Sequence, residues 1–293
     1  MARPLRIDQE DTFYHVLNRG NERRAIFRDE HDYEGLRANR DAPYFCLDAA
    51  ARGWEDENMP RDARVVIPGC AHHVTQRGNN RQDVFFVDAD RQAFLQYLHE
   101  AAERFALQVE GYCLMTNHIH LIVTPRREDS LAPALKRVNQ LYAQYVNRLH
   151  GRSGHLWQNR FFSCPLDQEH VWQVLVYVER NPVRARLCRK AWQWPWSSAA
   201  AHCGEDDRSG LLDMASWEQE MTPARWRRML ERPEDDRLVR SLQLSTNRGR
   251  PLGSDSFVAK LETLLGRRLR PLPRGRPRKV TPNAAASRKG KKK

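Results

Sequence analysis

Residues 107–123 read LQVEGYCLMTNHIHLIV, and this stretch decides the fold. Leu107 to Met115 reads as one β-strand, Thr116-Asn117 as a turn, and His118 to Val123 as the antiparallel partner strand. Side chains alternate along a strand, so His118 and His120 share one face while Ile119 points to the other, into a core. Upstream, Ala93, Phe94, Tyr97, Leu98, Ala101 and Phe105 recur at helical spacing and predict a helix from Asp88 to Phe105. Residues 70–76 read as a strand, ending in a turn at Arg77-Gly78-Asn79-Asn80. Downstream, Ser130 is expected to cap a helix running to about His150, with Leu131, Leu135, Val138, Leu141, Tyr142 and Tyr145 on one side. Residues 151–154 make a loop, and Leu156 to Leu166 a further strand. Asp167 to Arg180 reads as a helix stopped at Asn181-Pro182, because proline disfavours helical geometry in the residue before it. The order strand–helix–strand–strand–helix–strand–helix predicts an α+β sandwich, an antiparallel sheet covered by helices. Residues 183–247 read as helical, with Trp192, Trp194 and Trp196 as core anchors, and a short amphipathic helix is expected around Ser254 to Leu264.

The chain has 293 residues, 40% apolar and 29% charged, the composition of a soluble globular protein of one large domain or two small ones. It has no run of 18 apolar residues, which excludes a helical membrane span, and its N-terminus lacks the apolar stretch of a signal peptide. The six cysteines, at 46, 70, 113, 164, 188 and 203, form no CxxC, which argues against a zinc ribbon or a disulfide scaffold. A reduced, cytoplasmic chain is the expected setting.

The net charge of +12 points to a polyanionic partner, and its distribution is uneven. From Arg248 to the end there are 15 Lys+Arg and 2 Asp+Glu, whereas the preceding 247 residues hold 34 basic and 35 acidic side chains. Within that end, Pro273-Arg274-Gly275-Arg276-Pro277-Arg278-Lys279 resembles an AT-hook, whose Arg-Gly-Arg core lies in the minor groove of A/T-rich duplex DNA. The same residues read equally as a solvated basic tail with general DNA affinity.

The front of the chain contains a repeat. Residues 13–35, FYHVLNRGNERRAIFRDEHDYEG, recur as residues 71–93, AHHVTQRGNNRQDVFFVDADRQA, with His15/His73, Arg19/Arg77, Gly20/Gly78, Asn21/Asn79 and Arg23/Arg81 among the coincident pairs. Residues 1–58 therefore read as a partial copy, an appended or misassigned leader. The proximal copy connects directly to the rest and closes a shorter loop, so it is expected to supply the first strand.

Two clusters carry chemistry. Neutral imidazoles fixed as close as His118 and His120 make a candidate pair of metal ligands. In Tyr177-Val178-Glu179-Arg180-Asn181, the tyrosine and asparagine are four apart and share a helix face. The Asn181 amide oxygen can complete a three-ligand site with the phenol beside it. A phenol is a poor nucleophile until a cation favours its ionised form, and a metal that also polarises a phosphodiester oxygen serves both needs. Tyr142 and Tyr145 have Val146 and Leu149 at the i+4 position, neither a ligand. Tyr177 also reads as a core residue among Val174, Val176 and Val178.

Taken together, Thr116-Asn117-His118-Ile119-His120-Leu121, Gly154-His155-Leu156-Trp157-Gln158-Asn159-Arg160-Phe161 and Tyr177-Val178-Glu179-Arg180-Asn181-Pro182-Val183-Arg184-Ala185 resemble the single-tyrosine HUH transposases. Among these the chain is most similar to the REP-associated tyrosine transposases. Residues 76–81 and the segment Trp194-Pro195-Trp196-Ser197-Ser198 fit as well, so the resemblance spans about residues 60–205. It implies a ferredoxin-like α+β catalytic domain over 59–205; beyond it the residues themselves read as a helical extension over 206–270 and a disordered, AT-hook-like basic tail over 271–293. It also implies cleavage and rejoining of single-stranded DNA, often near a hairpin, through a 5′-phosphotyrosine that leaves a free 3′-hydroxyl. Its residue roles fall on Tyr177 as nucleophile and on His118, His120 and Asn181 as ligands of Mg2+ or Mn2+. Arg77, Arg81, Arg126, Arg127 and Arg160 are candidate DNA-backbone contacts, with Trp157 available for stacking and Arg274, Arg276 and Arg278 in the tail. The expected partners are single-stranded or hairpin DNA and A/T-rich duplex through the tail, with no membrane, for a monomer or homodimer. The alternatives are a noncatalytic or domesticated DNA-binding protein, and a nickase of the relaxase or replication-initiator type.

Overall fold

The computed structural model describes residues 64–270. The leader and the basic tail, with Arg274, Arg276 and Arg278, lie outside the described residues. The predicted hairpin forms: β2 (Leu107–Leu114) pairs antiparallel with β3 (His118–Pro125). β1 (His72–Arg77) pairs antiparallel with β3, and β4 (Phe162–Pro165) antiparallel with β1. The sheet order is therefore β2-β3-β1-β4. With α1 (Asp88–Arg104) joining β1 to β2 and α2 (Leu131–Leu149) joining β3 to β4, this is the ferredoxin-like α+β arrangement.

The alternation of β3 sorts its side chains between two cores. Ile119, Leu121 and Val123 pack with Phe94 and Leu98 of α1 and Leu135, Val138 and Tyr142 of α2. On the other face Ile122 packs with Val174, Leu175 and Val178 of α3 (Gln168–Glu179). His118 and His120 belong to this second face, the one that α3 covers. Helix α3 lies so close to β2 that a Cβ on Gly111 would come within 2.3 Å of the Leu175 side chain. Any larger residue at 111 would push away the helix that carries Tyr177.

Three local expectations are corrected. Ser130 occupies the first position before α2 but does not cap it; it is already helical in backbone, and its hydroxyl accepts from the Arg127 N–H at 3.0 Å. The strand expected over 156–166 shrinks to β4, because residues 156–158 meet the end of β1 through a Gly78–Trp157 bridge and the left-handed Asn159, at φ 54°, interrupts the ladder before β4. Trp192, Trp194 and Trp196 are half-buried, whereas among the described residues the buried tryptophans are Trp217 and Trp226. The reason lies at the sheet edge. Residues 194–198 run beside β2, where the Leu114 N–H donates to the Trp196 carbonyl at 2.8 Å and the Ser198 N–H to the Tyr112 carbonyl at 3.0 Å. These residues satisfy an edge strand that would otherwise present unpaired backbone. The edge of β4 is covered likewise, by Leu252 hydrogen-bonded to Pro165 and Asp167.

After α3 come the short helices α4 (Asn181–Arg184) and α5 (Ala199–His202), then α6 (Met214–Glu220), α7 (Pro223–Glu231), α8 (Asp236–Arg248) and α9 (Asp255–Leu265). Side-chain oxygens of Asp213, Thr222, Asp235 and Ser254 accept backbone N–H groups at the starts of the last four. Glu179 at the end of α3 is fully buried and ties these helices to the sheet. It accepts from Ser198 Oγ at 2.6 Å, from His202 Nδ1 at 2.5 Å and from Trp226 Nε1 at 2.8 Å. The five described cysteines are free, and no described helix is long and apolar enough to cross a membrane.

Candidate active site

Tyr177, His118, His120 and Asn181 meet in one cleft of about 500 Å³ between the α3-facing side of the sheet, α3 and α8. The rings of His118 and His120 lie with centroids 5.0 Å apart, and Tyr177 meets His120 edge-on at 5.8 Å.

The neighbours of His118 fix its proton. The Asn117 amide nitrogen donates to the Arg81 carbonyl at 3.0 Å, so its oxygen must face His118, whose Nδ1 lies 2.6 Å away. An amide oxygen only accepts, so Nδ1 carries the proton and Nε2 keeps its lone pair. The turn after β1 thereby acts on the site at second hand, since it holds the Arg81 carbonyl in place.

Asn181 is fixed by a similar argument. Val178 would normally accept from the backbone N–H four residues on, but that residue is Pro182, which has none. The Asn181 side-chain amide substitutes, donating to the carbonyls of Val178 at 3.1 Å and Tyr177 at 3.0 Å. Its nitrogen is thus committed to the helix end and its oxygen is turned away from it. That oxygen accepts from Arg184 Nη2 at 2.6 Å and has a second lone pair to offer.

Burial sets the charge state of the imidazoles. It pushes His118 down to about 4, helped by Arg77 and Arg184, and His73 down to about 3. It also holds His120 well below the usual histidine range, with His73, His118, Arg184 and Arg77 adding to the effect. All three rings are therefore neutral near pH 7, the form a metal requires. Two neutral imidazoles and an oriented amide oxygen fit a divalent cation. Among the described residues no group of three or more His, Cys, Asp or Glu is arranged to hold one.

The site contains residues that the sequence did not single out. Arg184 lies with its guanidinium carbon 4.2 Å above the Tyr177 ring and is held from behind by Glu234, whose two oxygens sit 2.6 and 2.8 Å from Nη1. Its helical spacing, three residues after Asn181 and seven after Tyr177, was a readable signal. Phe162, 37% exposed, and Gln158 also line the cleft. Thr246 enters from α8, in a region with no motif to announce it.

The candidate DNA contacts divide. Arg77 lines the cleft and is exposed. Arg81 is exposed on the turn behind Asn117, and Arg160 is exposed close enough to Arg64 to perturb it. Arg126 and Arg127 lie at the far end of β3, about 25 Å of strand from His118. Trp157 is not available for stacking. Its ring packs against Tyr142 and Phe94 at 5.8 and 6.3 Å, and its indole N–H donates to the Asn139 carbonyl. The exposed aromatic on the cleft is Phe162 instead.

Residues 66–181 match the family model described as IS200-like transposase. No curated protein matches the chain. Among solved structures, the chain is similar to a REP-associated tyrosine transposase bound to a REP hairpin. That likeness has 17% identity and a TM-score of 0.43, over 53% of this chain and 90% of the other. It is also similar to a transposase from Deinococcus radiodurans R1, at 18% identity and a TM-score of 0.30, over 42% of this chain and 97% of the other.

Proposed function

On the premise that residues 66–181 match the IS200-like transposases, we infer that this protein is a DNA strand-transfer enzyme of the tyrosine HUH type. In this reading it cleaves and rejoins single-stranded DNA, with hairpin DNA as the substrate that the sequence resemblance implies. The observation that carries it is the convergence of Tyr177, His118, His120, Asn181 and Arg184 on one cleft.

His118 Nε2, His120 Nε2 and Asn181 Oδ1 would hold Mg2+ or Mn2+. When bound, the ion supplies Lewis-acid polarisation of the scissile phosphate. The Tyr177 oxygen attacks phosphorus, the bond from phosphorus to the 3′ oxygen breaks, and a 5′-phosphotyrosine forms. The proton lost by the phenol is balanced by the one gained at the departing 3′ oxygen, which leaves as a hydroxyl. Attack of a 3′-hydroxyl on the phosphotyrosine reverses the step, so the bond energy is kept and no nucleotide is consumed. Arg184 stands beside the Tyr177 ring and offers positive charge to the phosphate as charge builds on it. Phe162 offers a ring face to a base next to the cleavage point, and Arg77 a phosphate contact at the cleft mouth.

The test is a labelled hairpin oligonucleotide with a single-stranded flank, incubated with the protein and Mg2+ or Mn2+ and run on a denaturing gel. A covalent adduct is expected from the wild type and none from Tyr177→Phe, which still binds the DNA. An adduct that persists in Tyr177→Phe overturns the nucleophile assignment.

A further inference from the structure

Behind the ligand pair lies a buried polar chain that the proposed chemistry does not use. His73 on β1 has Nε2 2.8 Å from His120 Nδ1, and its own Nδ1 is 2.9 Å from the Thr246 hydroxyl. The His73 and His120 ring planes are nearly parallel, at 10°, with centroids 5.1 Å apart. His73 and Thr246 are each 2% exposed, so both contacts are shielded from bulk water.

Between two neutral imidazoles only one N–H can lie in the bridge, and its direction decides which nitrogen of His120 faces the cleft bare. If His120 Nδ1–H donates, Nε2 keeps its lone pair. His73 then accepts at Nε2, must carry its proton on Nδ1, and needs an acceptor there. Threonine supplies one, because a hydroxyl oxygen accepts. If the chain runs the other way, His120 is protonated on Nε2 and cannot ligate. The opposite end of the site has no such freedom, because Asn117 can only accept from His118.

We propose that Thr246, through His73, is a positioning residue that holds His120 in the tautomer with Nε2 unprotonated and aimed at the metal. It lies on α8, beyond the segment 66–181 that matches the family model, so the C-terminal helices complete the site instead of merely decorating it. The proposal deepens the metal reading above and rests on it.

The experiment uses the full chain with Thr246→Val and Thr246→Ser. Valine keeps the shape and removes the acceptor; serine keeps the acceptor. Mn2+ affinity is measured by calorimetry, and the imidazole tautomers by long-range proton–nitrogen-15 spectra of the metal-free protein. Wild type is expected to carry protons on Nδ1 of both His73 and His120. Thr246→Val is expected to shift His120 toward the Nε2–H form and to weaken Mn2+ binding about tenfold, the lower end of the range for an outer partner of a ligand. Thr246→Ser restores both. A wild-type His120 protonated on Nε2 overturns the proposal, as does a Thr246→Val protein with unchanged tautomer and affinity. A wild type that binds no Mn2+ but shows the tautomer switch sinks the metal reading and supports the relay.

Discussion

Replacing Asn181 by alanine separates two roles that the structure assigns to one side chain. Asn181 donates to the carbonyls of Tyr177 and Val178, and it does so where Pro182 has removed the backbone donor for Val178. Its loss deprives buried acceptors of a partner, which costs about 2 kcal/mol. In a domain of this size each kcal/mol moves the melting midpoint by about 2–4 °C, so Asn181→Ala should melt about 4–8 °C lower. Pro182→Ala returns an N–H at position 182. In that background Asn181→Ala should cost about 1 kcal/mol less, a coupling measurable in a double-mutant cycle by urea or thermal unfolding. The ligand role does not recover the same way. The double variant should regain stability while Mn2+ binding and DNA adduct formation stay lost, because no backbone N–H supplies a metal-facing oxygen. Additive unfolding energies, within about 0.3 kcal/mol, would refute the capping argument.

Other expectations follow from burial and charge. Glu179→Ala leaves Ser198, His202 and Trp226 donating into a buried void, and should cost about 3–5 kcal/mol in unfolding measurements; a loss below about 1 kcal/mol would contradict the network. His72, His73 and His118 are held at about 4, 3 and 4 in the folded protein, so the unfolded chain binds more protons below pH 6.5. Their contribution is fully present above pH 6.5 and is lost as pH falls toward 4; unfolding near pH 5 should take up more than one proton, and a flat stability profile there would count against the buried neutral rings. Removing residues 271–293, which carry nine Lys+Arg and no acidic residue, should flatten the salt dependence of DNA binding in anisotropy titrations while leaving the melting point in place. Cutting at Arg248 would be the wrong test, because Leu252 pairs with the β4 edge and Leu261 packs on Val65.

The fold was legible where one face of an element is buried and the other is not. The β2–β3 hairpin, α1, α2 and α3 have periodic apolar residues, and their bounds in the structure fall within a residue or two of the expected ones. The strand from 156 to 166 was not legible, because its apolar residues serve a different purpose. Leu156 and Phe161 are drawn into the α1–α2 core and Trp157 packs beside them, while the left-handed Asn159 breaks the backbone ladder between them and β4. Trp194 and Trp196 misled for a similar reason. Large aromatics signal burial, yet here the backbone beside them is what matters, pairing with the edge of β2.

The same distinction divides the site. Tyr177 and Asn181 could be found from four-residue spacing, and His118 and His120 from two-residue alternation, because one element carries each pair. His73, Thr246 and Glu234 act through contacts between elements, and Thr246 lies 173 residues from the histidine it touches. No local period can connect them. Yet one tertiary fact was written locally. An asparagine directly before a proline, at the end of a helix, meets a carbonyl that the proline cannot serve. Its amide nitrogen is drawn to that carbonyl, and its oxygen must then point outward. Tyr177 to Pro182 therefore encodes more than a nucleophile beside a ligand: it encodes which atom of Asn181 faces the cleft.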